Sequence, residues 1–202
     1  LFCLHDAVVM TGRLQRSIQV FLDSPMAISA TEIFRHQREC LSDAVAAMFR
    51  DHDPFSVPGL HFTRETAESM RINTISGGAV IMAGSGMATG GRIRHHLKHN
   101  LWRADAGIVF VGFAAEGTLA RAIINGAGTV RIFGEEIPVK ARIYTIGGFS
   151  AHAGQAELVA WHRRSEARRT YLVHGEESAM AALQPLLGGA VDMPRLGDSF
   201  DL

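Results

Sequence analysis

Between Ala79 and Gly112 the chain reads AVIMA, then GSGMATGG, then RIRHHLKH, and closes on GIVFVG. An apolar run, a glycine-rich turn, a helix-length segment and a second apolar run form the order of a strand-helix-strand crossover, which lays two strands parallel in one sheet. A parallel sheet needs helices over both faces, so this stretch alone commits the chain to an α/β fold. The remaining segments agree with it. SIQVFL at 17–22 predicts a strand stopped by a turn at Asp23-Ser24-Pro25, and Ala27 to Arg50 predicts one helix closed by Asp51-His52-Asp53-Pro54. Leu60 to Arg64 reads as a short strand, and Glu65 to Asn73, Arg92 to Leu101 and Thr118 to Asn125 as helices. β-Branched residues from Thr129 to Ile146, with a Gly134-Glu135 turn, predict an antiparallel hairpin. A helix over Gln155 to Arg164, a strand at Thr170 to Val173, a helix over Ser178 to Leu187 and a partly stranded tail from Val191 to Leu202 complete the reading.

Twenty Lys and Arg against twenty Asp and Glu leave no net charge, so any polyanion site has to be local. No apolar run approaches a membrane span, nothing at the start resembles a signal peptide, and Cys3 and Cys40 lack CxxC spacing. The cytoplasm is the expected compartment. The chain opens at Leu1 inside an apolar segment, which predicts a piece of a longer polypeptide.

Three stretches could carry chemistry. In GSGMATGGRIRHHLKH, Gly84 to His99, glycines after a strand free backbone N–H groups, and the following helix offers its positive end to an anion. Neither GxGxxG nor GxxxxGK[ST] spacing is present. Arg92, Arg94, His95, His96, Lys98 and His99 form the densest basic stretch, to be read either as a phosphate or nucleic-acid contact or as a solvated helix. In YTIGGFSAHAGQ, Ser150 and His152 fall on the loop between a strand and a helix, where a hydroxyl can bind a phosphoryl oxygen and an imidazole can donate a proton. The alternative is a His152 that only hydrogen-bonds a backbone carbonyl. In TYLVHGEE, His174 ends a strand, a position that suits a metal ligand, with Glu176 and Glu177 as supporting carboxylates or helix-start charges.

Together these stretches resemble the later part of a β-CASP nuclease, a branch of the metallo-β-lactamase fold that cleaves RNA. The likeness rests on LDSPMA at Leu22 to Ala27, AGSGMATGG at Ala83 to Gly91, IVFVGF at Ile108 to Phe113, GFSAHA at Gly148 to Ala153 and LVHGE at Leu172 to Glu176. It implies a parallel-sheet β-CASP lobe over 1–127, truncated at its start, and the C-terminal part of a metallo-β-lactamase αββα sandwich over 128–202. It also implies His152 as proton donor to the leaving oxygen, Ser150 as a phosphate contact and His174 as a zinc ligand. Ser85 and Gly86, in the glycine turn, are expected to shape the substrate phosphate site, and Asp23 to be structural or substrate-shaping. RNA is the expected partner, two zinc ions the expected cofactor, and a homodimer is left open.

The HxHxDH motif that builds most of the family's zinc site is missing from these 202 residues. The resemblance therefore implies a fragment that is inactive alone. It leaves internal and 5′-end cleavage equally open. Two competing readings stand beside it: a non-catalytic RNA-binding scaffold of the same family, and a small phosphate-binding enzyme centred on Gly84 to Gly91.

Overall fold

The computed structural model describes residues 1–13, 17–50, 52–150 and 152–200. Asp51, Ala151, Asp201 and Leu202, which the sequence reading includes, lie outside them. Two compact units divide the chain, Leu1–Ile146 and Gly147–Leu202.

The first unit opens with α1 (Phe2–His5), which runs into a π-helical turn over Asp6–Met10. Then come β1 (Gln19–Leu22), α2 (Pro25–His36), a 3-10 turn (Arg38–Cys40) and α3 (Asp43–Met48). β2 (Leu60–Phe62), α4 (Thr66–Ile72), β3 (Ala79–Met82), α5 (Ile93–Asn100), β4 (Gly107–Val111) and α6 (Leu119–Ile124) follow. A hairpin of β5 (Thr129–Ile132) and β6 (Glu135–Pro138) leads to β7 (Arg142–Ile146). The strands form a parallel sheet ordered β2-β1-β3 and a parallel pair β4-β7. Each has its own core. Val8, Val20 and Val57 pack beside the first, while Leu97, Leu101, Phe110, Ile123 and the hairpin's Val130, Ile132 and Ile137 pack beside the second.

The α/β class stands, with local corrections. The two strands flanking the glycine turn and α5 do not pair in one sheet: β3 pairs with β1 and β4 with β7. Pro25 does not end a turn; it sits in the first turn of α2 behind Ser24, whose hydroxyl accepts from the Ala27 N–H at 3.4 Å. A fixed φ suits the first helical turn. The single helix expected over 27–50 breaks at Gln37, because the polar run His36 to Glu39 carries no apolar anchor, and Ser42-Asp43 starts a new helix. The hairpin expected to reach Ile146 ends at Pro138, and Arg142–Ile146 instead pairs parallel with β4.

At the C-terminal ends of β1, β2 and β3 lies a buried carboxylate hub. Asp23 is fully buried. Its Oδ1 accepts from the Thr63 hydroxyl (2.8 Å) and the Arg92 guanidinium (2.7 Å), and its Oδ2 from the Ser69 hydroxyl and His96 Nε2 (both 2.6 Å). Arg92 also donates to the Thr63 and Arg64 carbonyls, and the Asp23 N–H donates to the Met82 carbonyl at 2.8 Å. Burial alone would raise the Asp23 carboxyl, but the hydrogen bonds from Ser69, His96, Thr63 and Arg92 outweigh it and hold it below its ordinary value.

The glycine-rich turn closes on itself. Ile93 N–H donates to the Gly84 carbonyl at 3.2 Å, and Met87 and Ala88 turn inward against the second core. Gly91 has φ +76°, and a Cβ there would run into the Gly84 carbonyl, a backbone atom that cannot swing away. Gly91→Ala combines a strained φ with that clash, so it is expected to destabilise the chain by at least ~2 kcal/mol. A urea melt with a midpoint equal to wild type would contradict this.

The second unit holds α7 (Gln155–Ser165), β8 (Arg169–Tyr171), α8 (Glu177–Leu183), a 3-10 turn (Gln184–Leu186) and β9 (Ala190–Asp192). β8 and β9 pair in parallel, and Arg169 bridges to Asp192 at 2.9 Å. Among the described residues no helix is long and apolar enough to cross a membrane.

Candidate active site

The loop from Gly147 to Gly154 is shaped by its own hydrogen bonds. Ser150 N–H donates to the Gly147 carbonyl at 3.2 Å, and His152 N–H donates back to Ser150 Oγ at 3.2 Å, a serine turn that folds the segment. Gly154 caps α7, its N–H donating to the Glu157 carboxylate at 2.7 Å, so the loop is anchored at its helical end. Ser150 uses an oxygen lone pair for the turn and keeps its hydroxyl proton for another acceptor. His152 is exposed, and its imidazole has no hydrogen-bond partner among the described residues. Among the described residues the ring bonds to no backbone carbonyl. The imidazole is held at its backbone and open at its ring, as a proton donor or phosphate contact requires.

His174 does not end the strand: it lies three residues beyond the end of β8, where the expected strand over Thr170 to Val173 would put it directly after the last residue. Its φ is +69°, in the left-handed region that histidine enters more often than most residues but that still costs free energy. With Gln155, Trp161, Met180 and Leu183 it lines a mostly apolar trough of about 540 Å³; His152 is not on that lining. Glu176 and Glu177 stand at the start of α8, where their charge meets the positive helix end.

Ser85 and Gly86 belong to the first unit. The Ser85 hydroxyl points across its own turn to the Gly90 carbonyl at 3.4 Å, and the Ile93 and Arg94 N–H groups at the start of α5 meet the Gly84 and Gly91 carbonyls. The turn's own carbonyls therefore take two amides that an anion would need. The basic stretch is also largely engaged. Arg92 and His96 reach Asp23, and Lys98 bridges to Glu135 at 2.5 Å. Arg94 and His95 pack on the Phe133 ring, at 4.4 and 4.6 Å. The inward role of Arg92 and His96 was missed from sequence; the buried-type aspartate of LDSPMA was the one available signal.

Among the described residues no group of three or more His, Cys, Asp or Glu side chains could hold a metal ion. A catalytic zinc ordinarily takes three protein ligands. The described residues by themselves therefore do not make a zinc site.

Comparison with known proteins decides the family. Residues 1–123 match the Beta-Casp domain model, more than half of the chain. The chain belongs to the β-CASP family. Residues 136–194 match the model described as a Zn-dependent metallo-hydrolase RNA specificity domain, which contains both Ser150 and His152 and His174. This β-CASP chain is 42% identical over 190 residues to Ribonuclease TTHA0252 of Thermus thermophilus, covering 92% of itself and 43% of that protein. It is 34% identical over 168 residues to Transcription termination factor FttA of Methanocaldococcus jannaschii, and 32% to that of Thermococcus kodakarensis; in each case 79% of the chain covers 26% of the relative. The chain thus spans less than half the length of the relatives it matches.

Proposed function

We propose that the chain is the later part of a zinc-dependent ribonuclease that hydrolyses RNA phosphodiester bonds. The observation that carries the reading is the His152 loop: an exposed imidazole without a hydrogen-bond partner among the described residues, on a backbone folded by the Ser150 turn, inside the stretch that matches the RNA specificity domain. In this reading His152 donates a proton to the oxygen that leaves phosphorus, and the Ser150 hydroxyl donates to a non-bridging phosphate oxygen. His174 serves as one zinc ligand, with the other ligands, for two ions, supplied by polypeptide outside these residues. Bound zinc would supply an activated water and charge neutralisation at the phosphate. In the same reading Ser85 and Gly86 contribute to binding of substrate phosphate. The ribonuclease name and 42% identity of the Thermus relative favour hydrolysis over a non-catalytic scaffold.

The test is an RNA cleavage assay on the longer natural polypeptide, with metal content measured in parallel. Chelation is expected to abolish cleavage, and His174→Ala to lower bound zinc at least tenfold. Cleavage that survives chelation, or full zinc in His174→Ala, would remove the assignment. The 202-residue chain alone is expected to bind no stoichiometric zinc and to leave RNA intact.

A further inference from the structure

In the first unit one edge of β3 and one edge of β4 line the same cavity. Gln19 N–H donates to the Gly78 carbonyl and Asp23 N–H to the Met82 carbonyl, so the peptide groups of Gly78, Val80 and Met82 face β1. Peptide groups alternate sides along a strand, which turns those of Ala79 and Ile81 the other way. In the second pair, Arg142 N–H donates to the Ala106 carbonyl and Gly112 N–H to the Ile146 carbonyl. By the same alternation, Gly107, Val109 and Val111 turn away from β7. Ala79, Ile81, Gly107 and Val109 all line one cavity of about 250 Å³, roofed by Ile93 and Leu97 of α5. Arg103 ties the two sides at one end, donating to the Ile75 and Ser76 carbonyls ahead of β3 and pairing with Asp105 ahead of β4. Both strands therefore leave from the same end, and two open edges run parallel along one slot. His96, whose Nδ1 is buried without a partner among the described residues, lines it too.

One face of the second pair is also bare. Ile108, Phe110 and Ile143 point into the core, whereas Val109, Val111, Tyr144 and Ile146 on the opposite face are 49%, 54%, 50% and 39% exposed. A parallel sheet is normally covered on both faces, and buried peptide groups are normally paired.

We infer that polypeptide outside these 202 residues supplies one strand-helix unit: a parallel strand that enters the slot between β3 and β4, and an amphipathic helix that covers Val109, Val111, Tyr144 and Ile146. One crossover satisfies both vacancies, since a strand and its neighbouring helix pack on the same sheet. The sheet then runs continuously as β2-β1-β3, the incoming strand, β4-β7. The Thermus relative, of which the chain covers 43%, has the length to contain such a unit. The inference stands on packing alone and holds whether or not the protein cleaves RNA.

Hydrogen exchange at single-residue resolution, on the chain alone and within the longer natural polypeptide, tests it. The amides of Ala79, Ile81, Gly107 and Val109 are expected to exchange about 100-fold or more slowly in the longer polypeptide, while Val80 and Phe110, bonded in both, change far less. Equal rates for the slot amides in the two samples would overturn the strand. So would protection in the chain alone that grows with its concentration, because a second copy would then fill the edge. Val111→Lys reads the face: no change in Tm is expected for the chain alone and a drop of several degrees for the longer polypeptide. No drop there would overturn the helix.

Discussion

Replacing Asp23 by alanine is expected to destabilise the first unit by about 3–5 kcal/mol, enough to unfold much of the population of a marginally stable domain. Four side-chain donors converge on this one buried carboxylate, two of them from Arg92 and His96 on either side of the α5 start. Without it, the Arg92 guanidinium loses its counter-charge, and the Ser69 hydroxyl and His96 Nε2 lose their acceptor. Unpaired buried donors cost more than the bonds themselves contribute. Asp23→Asn keeps the shape and one acceptor oxygen, so it should fall between wild type and alanine. The same hub sets an acid limit. Because the folded carboxyl sits below its ordinary value, its contribution is complete above the normal aspartate range and erodes as pH falls through about 4 and below. Urea midpoints measured from pH 7 to pH 3 check both statements: wild type should lose stability over the last unit or so, and Asp23→Ala should lose less there. Parallel curves would show that Asp23 carries no such linkage.

That hub marks where sequence reading stopped. Asp23 lies 69 residues from Arg92 and 73 from His96 along the chain. Local composition around Arg92 to His99 shows only clustered basic residues, and a cluster looks the same whether it faces RNA or a buried aspartate. The strands at 19–22, 79–82 and 107–111 were legible because each is a short apolar run bounded by glycine or a turn, a signal contained within the strand itself. Their partners were not legible. Ile143 and Tyr144 fit a hairpin with β6 as well as a parallel pairing with β4, and the packing of Ile143 on the core that holds Phe110 and Ile123 chooses between them. Within the candidate site, the loop holding Ser150 and His152 could be placed from Gly147-Gly148 and Gly154. The left-handed backbone at His174 could not, since nothing in LVHGE distinguishes that conformation at histidine from one at the neighbouring glycine.

In the longer natural polypeptide, His152→Ala is expected to lower kcat for RNA cleavage by about 10²- to 10⁴-fold with little change in KM, the range over which a positioned proton donor acts. Stability should move by no more than ~0.5 kcal/mol, because the ring is exposed and bonded to none of the described residues. A large kinetic loss with an unchanged melting curve separates chemistry from folding. Ser150→Ala tests the support: it removes the acceptor for the His152 N–H and the hydroxyl proposed to bind phosphate, so a smaller kcat loss with a raised KM is expected. The sharper discriminator is the leaving group. A proton donor matters in proportion to the basicity of the oxygen that departs, so a phosphodiester with a p-nitrophenolate leaving group should recover most of the rate lost in His152→Ala. If His152 instead only binds phosphate, the defect should be equally large for both substrates, and the proton-donor role would be lost even though the residue remained essential.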